Sequence, residues 1–391
     1  MKFQYFSILS FFLFSFSGLL KWIGLPFDPT ILFGLLTLLL IVLYLPTFKF
    51  ESIGIFTIPF ILFISFHFFY FLTAFYSPSS SYYLDKILRV FFNIAAFIAP
   101  VVILKTNKDF LFLKKVALVF FGIALLLISY NWFSNGLEIF FVENLDSDVK
   151  MPNYMSISYF LGSFILFFHE RKSLLYLKII AILFIILLAS KGALLFLIMV
   201  FLLDFKRLKI FKKDNIKYFI SFIIMIGIYI AVSSQNIFSH LSQRIFLGSE
   251  FEKDESSLVR LKLLNDSFNL IVDNPFFGIG VGGFGILSEN IDQRLSPHNL
   301  LIEVFLESGL VGFLFLCLMV YYFYRSFKKS SIGVGDKSEH LSYLYPCIFI
   351  FLGDLVSGII EDSRLNYFWL GLAVSYYVYR NSIKGKIYIN E

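Results

Sequence analysis

Apolar runs long enough to cross a bilayer recur along almost the whole chain, and this limits the fold more than any single motif. A spanning helix needs about 20 mostly apolar residues. Candidate runs fall near 3–20, 30–45, 53–76, 84–104, 110–130, 153–168, 174–189, 192–205, 218–234, 298–324, 341–360 and 366–379. The first is too long for a signal-peptide core and reads as a retained helix. With 58% hydrophobic and 15% charged residues, too few polar groups remain to cover a soluble globule. The same composition excludes a disordered chain. The expected fold is all-α and polytopic, with about 12 transmembrane helices.

The stretch 174–205 is charged only at Lys178, Lys191 and Asp204. One straight helix of that length would reach about 48 Å, against a hydrocarbon core of roughly 30 Å. A hairpin breaking at Ser190-Lys191-Gly192 fits better. Charge supports this count. With the N-terminus inside and spans alternating, most of the 33 Lys and Arg fall in the inner loops. That is the pattern of the positive-inside rule, and it places both termini in the cytoplasm. The net charge of +6 is therefore an orientation signal rather than a nucleic-acid footprint. The expected organisation is a bundle over 1–234, an extracytoplasmic loop over 235–297 with short helices, and further spans over 298–391.

Metal chemistry finds little purchase. His67, His169, His240, His298 and His340 are scattered, and Cys317 and Cys347 lie within apolar runs. No metal and no cofactor is expected. Gly278, Gly280 and Gly283 form a nominal GxGxxG, but without the strand and helix that a dinucleotide site requires. A tight turn that lets backbone approach a substrate or the membrane surface is the better reading.

Cations on the outer side are more informative, because charge at a membrane edge is costly and marks function or snorkelling. Lys191 lies at the hairpin apex. Arg89 lies within the fourth span, where it faces outward function or a pair with Asp85. Arg260 belongs to an amphipathic helix over 257–272. There Leu258, Leu261, Leu264, Phe268 and Ile271 recur at helical spacing, and Arg260 falls on the more polar side. His298 closes the loop in Ser-Pro-His-Asn. Asn299, Glu303 and Glu307 then follow at steps of four on one helix face. The two carboxylates are open to three roles: orienting His298, pairing with Arg260 or Lys191, or lining a water-filled vestibule.

HNLLIEVFLESGLVG at 298–312 resembles the His-Asn-x-x-Leu/Ile-Glu-x-x-x-Glu-x-Gly-x-x-Gly signature of the bacterial O-antigen polymerase and ligase family. DNPFFGIGVGGF at 273–284 is similar to the segment preceding it there. VRLKLLNDSF supplies the expected arginine, and SKGALLFL at 190–197 resembles a Ser-Arg-Gly-Ala element. Lys191 departs from that arginine, keeping the charge but losing the bidentate fork.

The resemblance implies a fold like that of the C-type glycosyltransferases. It implies metal-independent, inverting transfer of a glycan from undecaprenyl diphosphate at the outer face of the bacterial inner membrane. His298, Arg260 and Lys191 would be catalytic: a base and two phosphate-facing cations. Arg89, Asn299, Glu303, Glu307, Gly278 and Gly280 would contact substrate, with Glu303 holding the imidazole or steering Arg260. The apolar spans would form a lateral groove for the polyprenyl tail. Expected partners are the undecaprenyl-diphosphate-linked oligosaccharide, an acceptor glycan or lipid A-core, the bilayer and a chain-length regulator, with no nucleic acid. A polymerase is the leading reading and a ligase shares its donor chemistry. A transporter, for which Asp354 would speak, is the alternative of another class.

Overall fold

The computed structural model describes residues 2–20, 27–48, 50–135, 154–188, 190–203, 255–330 and 337–389. Every regular element among them is helical. In chain order these are α1 (Lys2–Ser15), α2 (Ser17–Leu20), α3 (Pro29–Tyr44), α4 (Thr57–Leu72), α5 (Tyr82–Ile103), α6 (Asn107–Asn135), α7 (Tyr154–Phe167), α8 (Leu175–Leu187) and α9 (Lys191–Leu203). After these come α10 (Glu255–Asp273), α11 (Phe284–Glu289), α12 (Leu300–Ser330), α13 (Lys337–Ser357) and α14 (Arg364–Ile389).

Among the described residues, six segments are long and apolar enough to cross a membrane: Pro29–Thr47, Ile53–Tyr76, Tyr82–Ile103, Asn107–Ser134, Leu300–Ser330 and Glu339–Ser357. Tyr154–Phe167 and Lys191–Phe201 are shorter apolar helices. The run at 218–234 and the acidic loop near 131–152, beyond its first residues, lie outside the described residues. The break in 174–205 falls between Leu187 and Lys191, at the start of the expected apex.

Local chemistry sets several boundaries. Asp28 caps α3 by accepting from the Thr30 N–H at 2.7 Å, and Pro29 occupies the first turn, where its missing donor costs nothing. Lys328 and Lys329 close α12, where cations complement the helix dipole. Contacts also group the loops by end. The Lys105 ammonium reaches the Thr47 hydroxyl at 2.8 Å, and Lys114 pairs with Glu339 at 2.8 Å. The loops holding Ser79, Asp292 and Glu361 gather at the opposite end.

Aromatic packing fills the core. Phe16 lies edge-on to Phe164 and Phe368, each at 5.2 Å between ring centroids, linking the N-terminal helices to α7 and α14. On α5, Ala95, Ala96 and Ala99 are buried against α14, and Gly371 abuts the Phe97 carbonyl. Small residues let two backbones approach closely where lipid supplies no hydrophobic drive.

The most consequential local feature is a break in α12. Gly309 adopts φ 63°, ψ −165°, which interrupts the helical ladder and frees donors and acceptors on both sides. The glycine-rich loop satisfies them. The N–H groups of Ile279 and Gly280 donate to Leu306 and Glu307 carbonyls at 2.9 and 3.0 Å, while those of Leu310 and Val311 donate to Pro275 and Phe276 at 2.8 and 3.2 Å. The approach is so close that a side chain at Gly278 would lie 2.5 Å from the Leu306 carbonyl oxygen, and one at Gly309 would overlap the Phe276 carbonyl.

Gly309→Ala should therefore destabilise strongly, by about 1–3 kcal/mol from backbone strain alone, with overlap added. Gly122→Ala, in α6 with open space around it, should be neutral or stabilising by up to about 1 kcal/mol. Thermal unfolding in detergent compares the two, and equal effects would contradict this account of the break.

Candidate functional site

The site grows from one buried charge cluster. Lys86, one turn into α5, lies 2.6 Å from Glu303 and 2.8 Å from Glu307, with all three side chains almost fully buried. The spacing of Glu303 and Glu307 places both on one face of α12, as the sequence predicts. Their partner is Lys86 rather than Arg260 or Lys191. All four carboxylate oxygens receive donors. Besides Lys86, Glu303 accepts the Ile360 N–H at 2.7 Å, and Glu307 accepts the Gly282 N–H at 2.8 Å and the Tyr70 hydroxyl. This full satisfaction makes two buried carboxylates tolerable beside one cation.

The cluster ties four pieces together: α4 through Tyr70, α5 through Lys86, the glycine loop through Gly282, and the 3-10 turn Ile360–Asp362. Asn93, two turns below Lys86, donates to the Ile360 and Glu361 carbonyls at 2.8 and 3.0 Å. Tyr82 donates to Glu361 at 3.0 Å. Tyr82, Lys86, Val90 and Asn93 form one buried stripe on α5. That spacing of four, four and three was a readable signal for Lys86, and attention to Arg89 alone missed it.

Above this cluster sits His298, with φ 52°. A non-glycine residue in that region carries local strain, which structures tend to keep where a side chain must be aimed. The next residue, Asn299, caps α12: its carbonyl oxygen accepts the Leu301 and Ile302 N–H groups at 3.0 and 3.1 Å, and its amide donates to the Leu355 carbonyl at 2.7 Å. The histidine loop is thus anchored on α12 and α13 at once. Partial burial holds the His298 pKa below its ordinary value, reinforced by Arg260 and Arg294 and opposed by Asp362.

Arg294 lies four residues before His298. Its Nε is 2.7 Å from Glu361 Oε1, and a terminal nitrogen pairs with Asp362. Asp292 pins the other end of the loop. It accepts the Ser79 hydroxyl at 2.6 Å, the Ser80 N–H and hydroxyl at 2.9 and 2.8 Å, and the Ser81 N–H and hydroxyl at 2.8 and 2.9 Å. These bonds, the Ser79 hydroxyl first, hold the Asp292 carboxyl well below the usual range. Neither residue was singled out in the sequence.

The remaining predicted residues divide. Arg260 is exposed on α10 within electrostatic reach of His298. Of the apolar stripe expected for α10, Ile271 is buried with Ile279, Phe284 and Leu306 and Leu264 is half-buried, while Leu258, Leu261 and Phe268 are exposed and Leu263, outside the stripe, is buried instead. Helical periodicity located the helix, but packing onto α12 and the glycine loop chose its face. Arg89 pairs with Asp85 at 3.0 Å on the exposed side of α5, one of the two arrangements its position allowed, and senses Glu361 and Arg294. Gly278 and Gly280 are packed against α12 and the loop after α4. Lys191 opens α9 with its side chain exposed.

Below the cluster lies an apolar cavity of about 400 Å³ between α4, α12, α13 and α14. Leu300, Val304 and Ile360 line it beside the site, and Phe323, Phe327 and Tyr377 line it farther along the bundle. Its lining residues on α12 run from Leu300 to Lys328, about eight turns.

Lys86→Met should cost about 3–5 kcal/mol, since it strands two buried carboxylates. A thermal unfolding shift no larger than that of an exposed-lysine control would refute the keystone role.

The family model described as O-antigen ligase matches residues 176–317, a minority of the chain that contains Lys191, Arg260, the glycine loop, His298, Glu303 and Glu307. The resemblance read from the motifs and this match agree. A comparison with curated proteins gives no match.

Proposed function

We propose that this protein is a membrane glycosyltransferase that polymerises polysaccharide repeat units carried on undecaprenyl diphosphate. What supports the reading above all is the juxtaposition of a strained histidine and guanidinium groups at one end of the bundle, with an apolar cavity that begins at Leu300, two residues after the histidine. A polyprenyl-diphosphate donor has the matching parts: an apolar tail, an anionic diphosphate and a sugar. The family match supports glycan processing in the membrane.

In this reading the acceptor hydroxyl of a lipid-linked repeat unit approaches His298. The imidazole takes the hydroxyl proton, and the oxygen bonds to the anomeric carbon of the growing chain. The bond from that carbon to the diphosphate oxygen breaks, and its electron pair leaves with the lipid diphosphate. Attack opposite the leaving group inverts the anomeric centre. Arg260 stabilises the charge developing on the diphosphate, with Lys191 as the second cation. A pKa below the ordinary value keeps His298 neutral, and so able to act as base, at pH 7. Glu303 and Glu307 act through position: they hold α5, α12 and the turn at Ile360 beneath the histidine. The chemistry takes place at the outer face of the inner membrane in this reading.

The ligase reading shares the donor half of this reaction and differs in acceptor. Transport is less well supported, because the polar residues gather at one end and the Asp354 carboxylate is engaged by Asn366 at 3.1 Å.

His298→Ala and Arg260→Ala should leave the protein folded and reduce a surface glycan ladder to a single repeat on the core. Fully polymerised glycan retained on the carrier would instead identify a ligase, and an unchanged profile in both variants would refute transfer. Lys191→Arg should retain activity while Lys191→Ala loses it; an active alanine variant removes Lys191 from the site. In vitro, the rate should fall as pH drops through a value below about 6.5, because protonation removes the base. A rate independent of pH down to 5 would eliminate His298 as base.

A further inference from the structure

We propose that Arg294 is a diphosphate-binding cation of this site, held ready by two carboxylates and exchanged onto the substrate when the donor arrives. The inference rests on the transfer reading above and adds a residue to it.

The two anchors of Arg294 differ. Glu361 is wholly buried, while Asp362 is 52% exposed and the arginine itself 44%. The buried anchor is rigid: Tyr82 holds the Glu361 carboxylate, and Asn93 holds the backbone carbonyls of Ile360 and Glu361. Through the Ile360 N–H, this turn is also bonded to Glu303 and so to Lys86. Nε therefore has a buried, firmly held carboxylate as its ion-pair partner, and the terminal nitrogen pairs with the more exposed Asp362. An exposed aspartate is a replaceable partner, since an exposed ion pair is worth little and a phosphate offers the same acceptor geometry with more charge.

The surroundings suit an anion. Arg294 is within electrostatic reach of His298 on its own loop, and of Arg89 on α5. Arg260, on α10, reaches the same histidine. A diphosphate brought beside His298 thus meets guanidinium groups from two elements, Arg294 from the loop and Arg260 from α10, and the charge released as the glycosidic bond breaks needs more than one of them. Asp362 is the carboxylate facing His298, and its displacement toward solvent leaves the arginine edge to the ligand. Arginine suits this role better than lysine, because its fork can keep one carboxylate while offering parallel donors to a phosphate.

The test uses the full chain in nanodiscs, with binding of geranylgeranyl diphosphate measured beside geranylgeranyl monophosphate. Arg294→Gln should weaken diphosphate binding roughly tenfold, the loss of about one charge-assisted bond, and affect the monophosphate less. Arg294→Lys should fall between. Asp362→Asn should tighten diphosphate binding several-fold, the opposite of what loss of a purely structural ion pair would do. The pH profile gives an independent readout. Facing His298 are Arg260 from α10, Arg294 from the loop and Asp362 from the turn. Removing the Arg294 charge should move the acidic limb of the transfer rate upward, and removing Asp362 should move it downward.

If Arg260→Gln abolishes diphosphate binding while Arg294→Gln binds like the wild type, this inference fails and the transfer reading stands. Asp362→Asn binding no tighter than the wild type also overturns it. A wild-type protein that does not prefer diphosphate to monophosphate overturns both. Should Arg294→Gln not fold, Arg294→Lys and Asp362→Asn decide the question by the same criteria.

Discussion

The buried contact between Lys86 and the two glutamates of α12 is the interaction around which the rest of this end of the bundle is arranged. A lysine and two carboxylates far from water are tolerable only when every oxygen has a donor. The donors here come from α4, α5, the glycine loop and the turn at Ile360. Meeting that demand obliges these segments to meet at one point. The loop carrying His298 and Arg294 is then suspended over this point, capped onto α12 by Asn299 and fastened at its other side by Asp292.

The break at Gly309 serves the same end by another route. An uninterrupted helix would leave the buried glycine loop without these backbone partners, and buried unsatisfied amide groups are costly. By opening, α12 exchanges four of its own backbone groups for four of the loop's. The close approach requires glycine at Gly278 and Gly309, which accounts for the resemblance of GIGVGG to a phosphate-binding fingerprint without dinucleotide chemistry. Glu307 lies two residues before the break. It binds Lys86 with its side chain and Gly280 with its carbonyl, coupling the charge cluster to the break.

The division between polar end and apolar body gives the molecule its functional shape. His298 lies within electrostatic reach of Arg260 and Arg294. The cavity farther along the bundle is walled mainly by Leu, Val, Ile, Phe and Tyr side chains, with Asn366 and Lys328 as polar members. In the transfer reading proposed above, this polarity gradient suits a lipid-borne diphosphate.

Much of this was legible in the sequence. Apolar length dictated a helical membrane bundle, because backbone groups in lipid must be satisfied within a helix. Steps of four placed Glu303 and Glu307 on one face, and Ser-Pro-His-Asn marked the start of α12. The local sequence also located α10. The partners of these groups were another matter. Lys86 is 217 residues from Glu303, and nothing local distinguishes it from a lysine at a membrane edge. Both faces of α10 carry apolar residues, so periodicity placed Ile271 correctly but not Leu263, and packing with Ile279 and Leu306 chose the buried face. Arg294 and Asp292 look like ordinary loop charges until the turn at Glu361 and the serines at 79–81 are brought against them. Periodicity and apolar length act within a few turns of chain, so sequence alone can specify them. Ion pairing and backbone exchange depend on which distant segments share a buried space, and only the tertiary structure decides that.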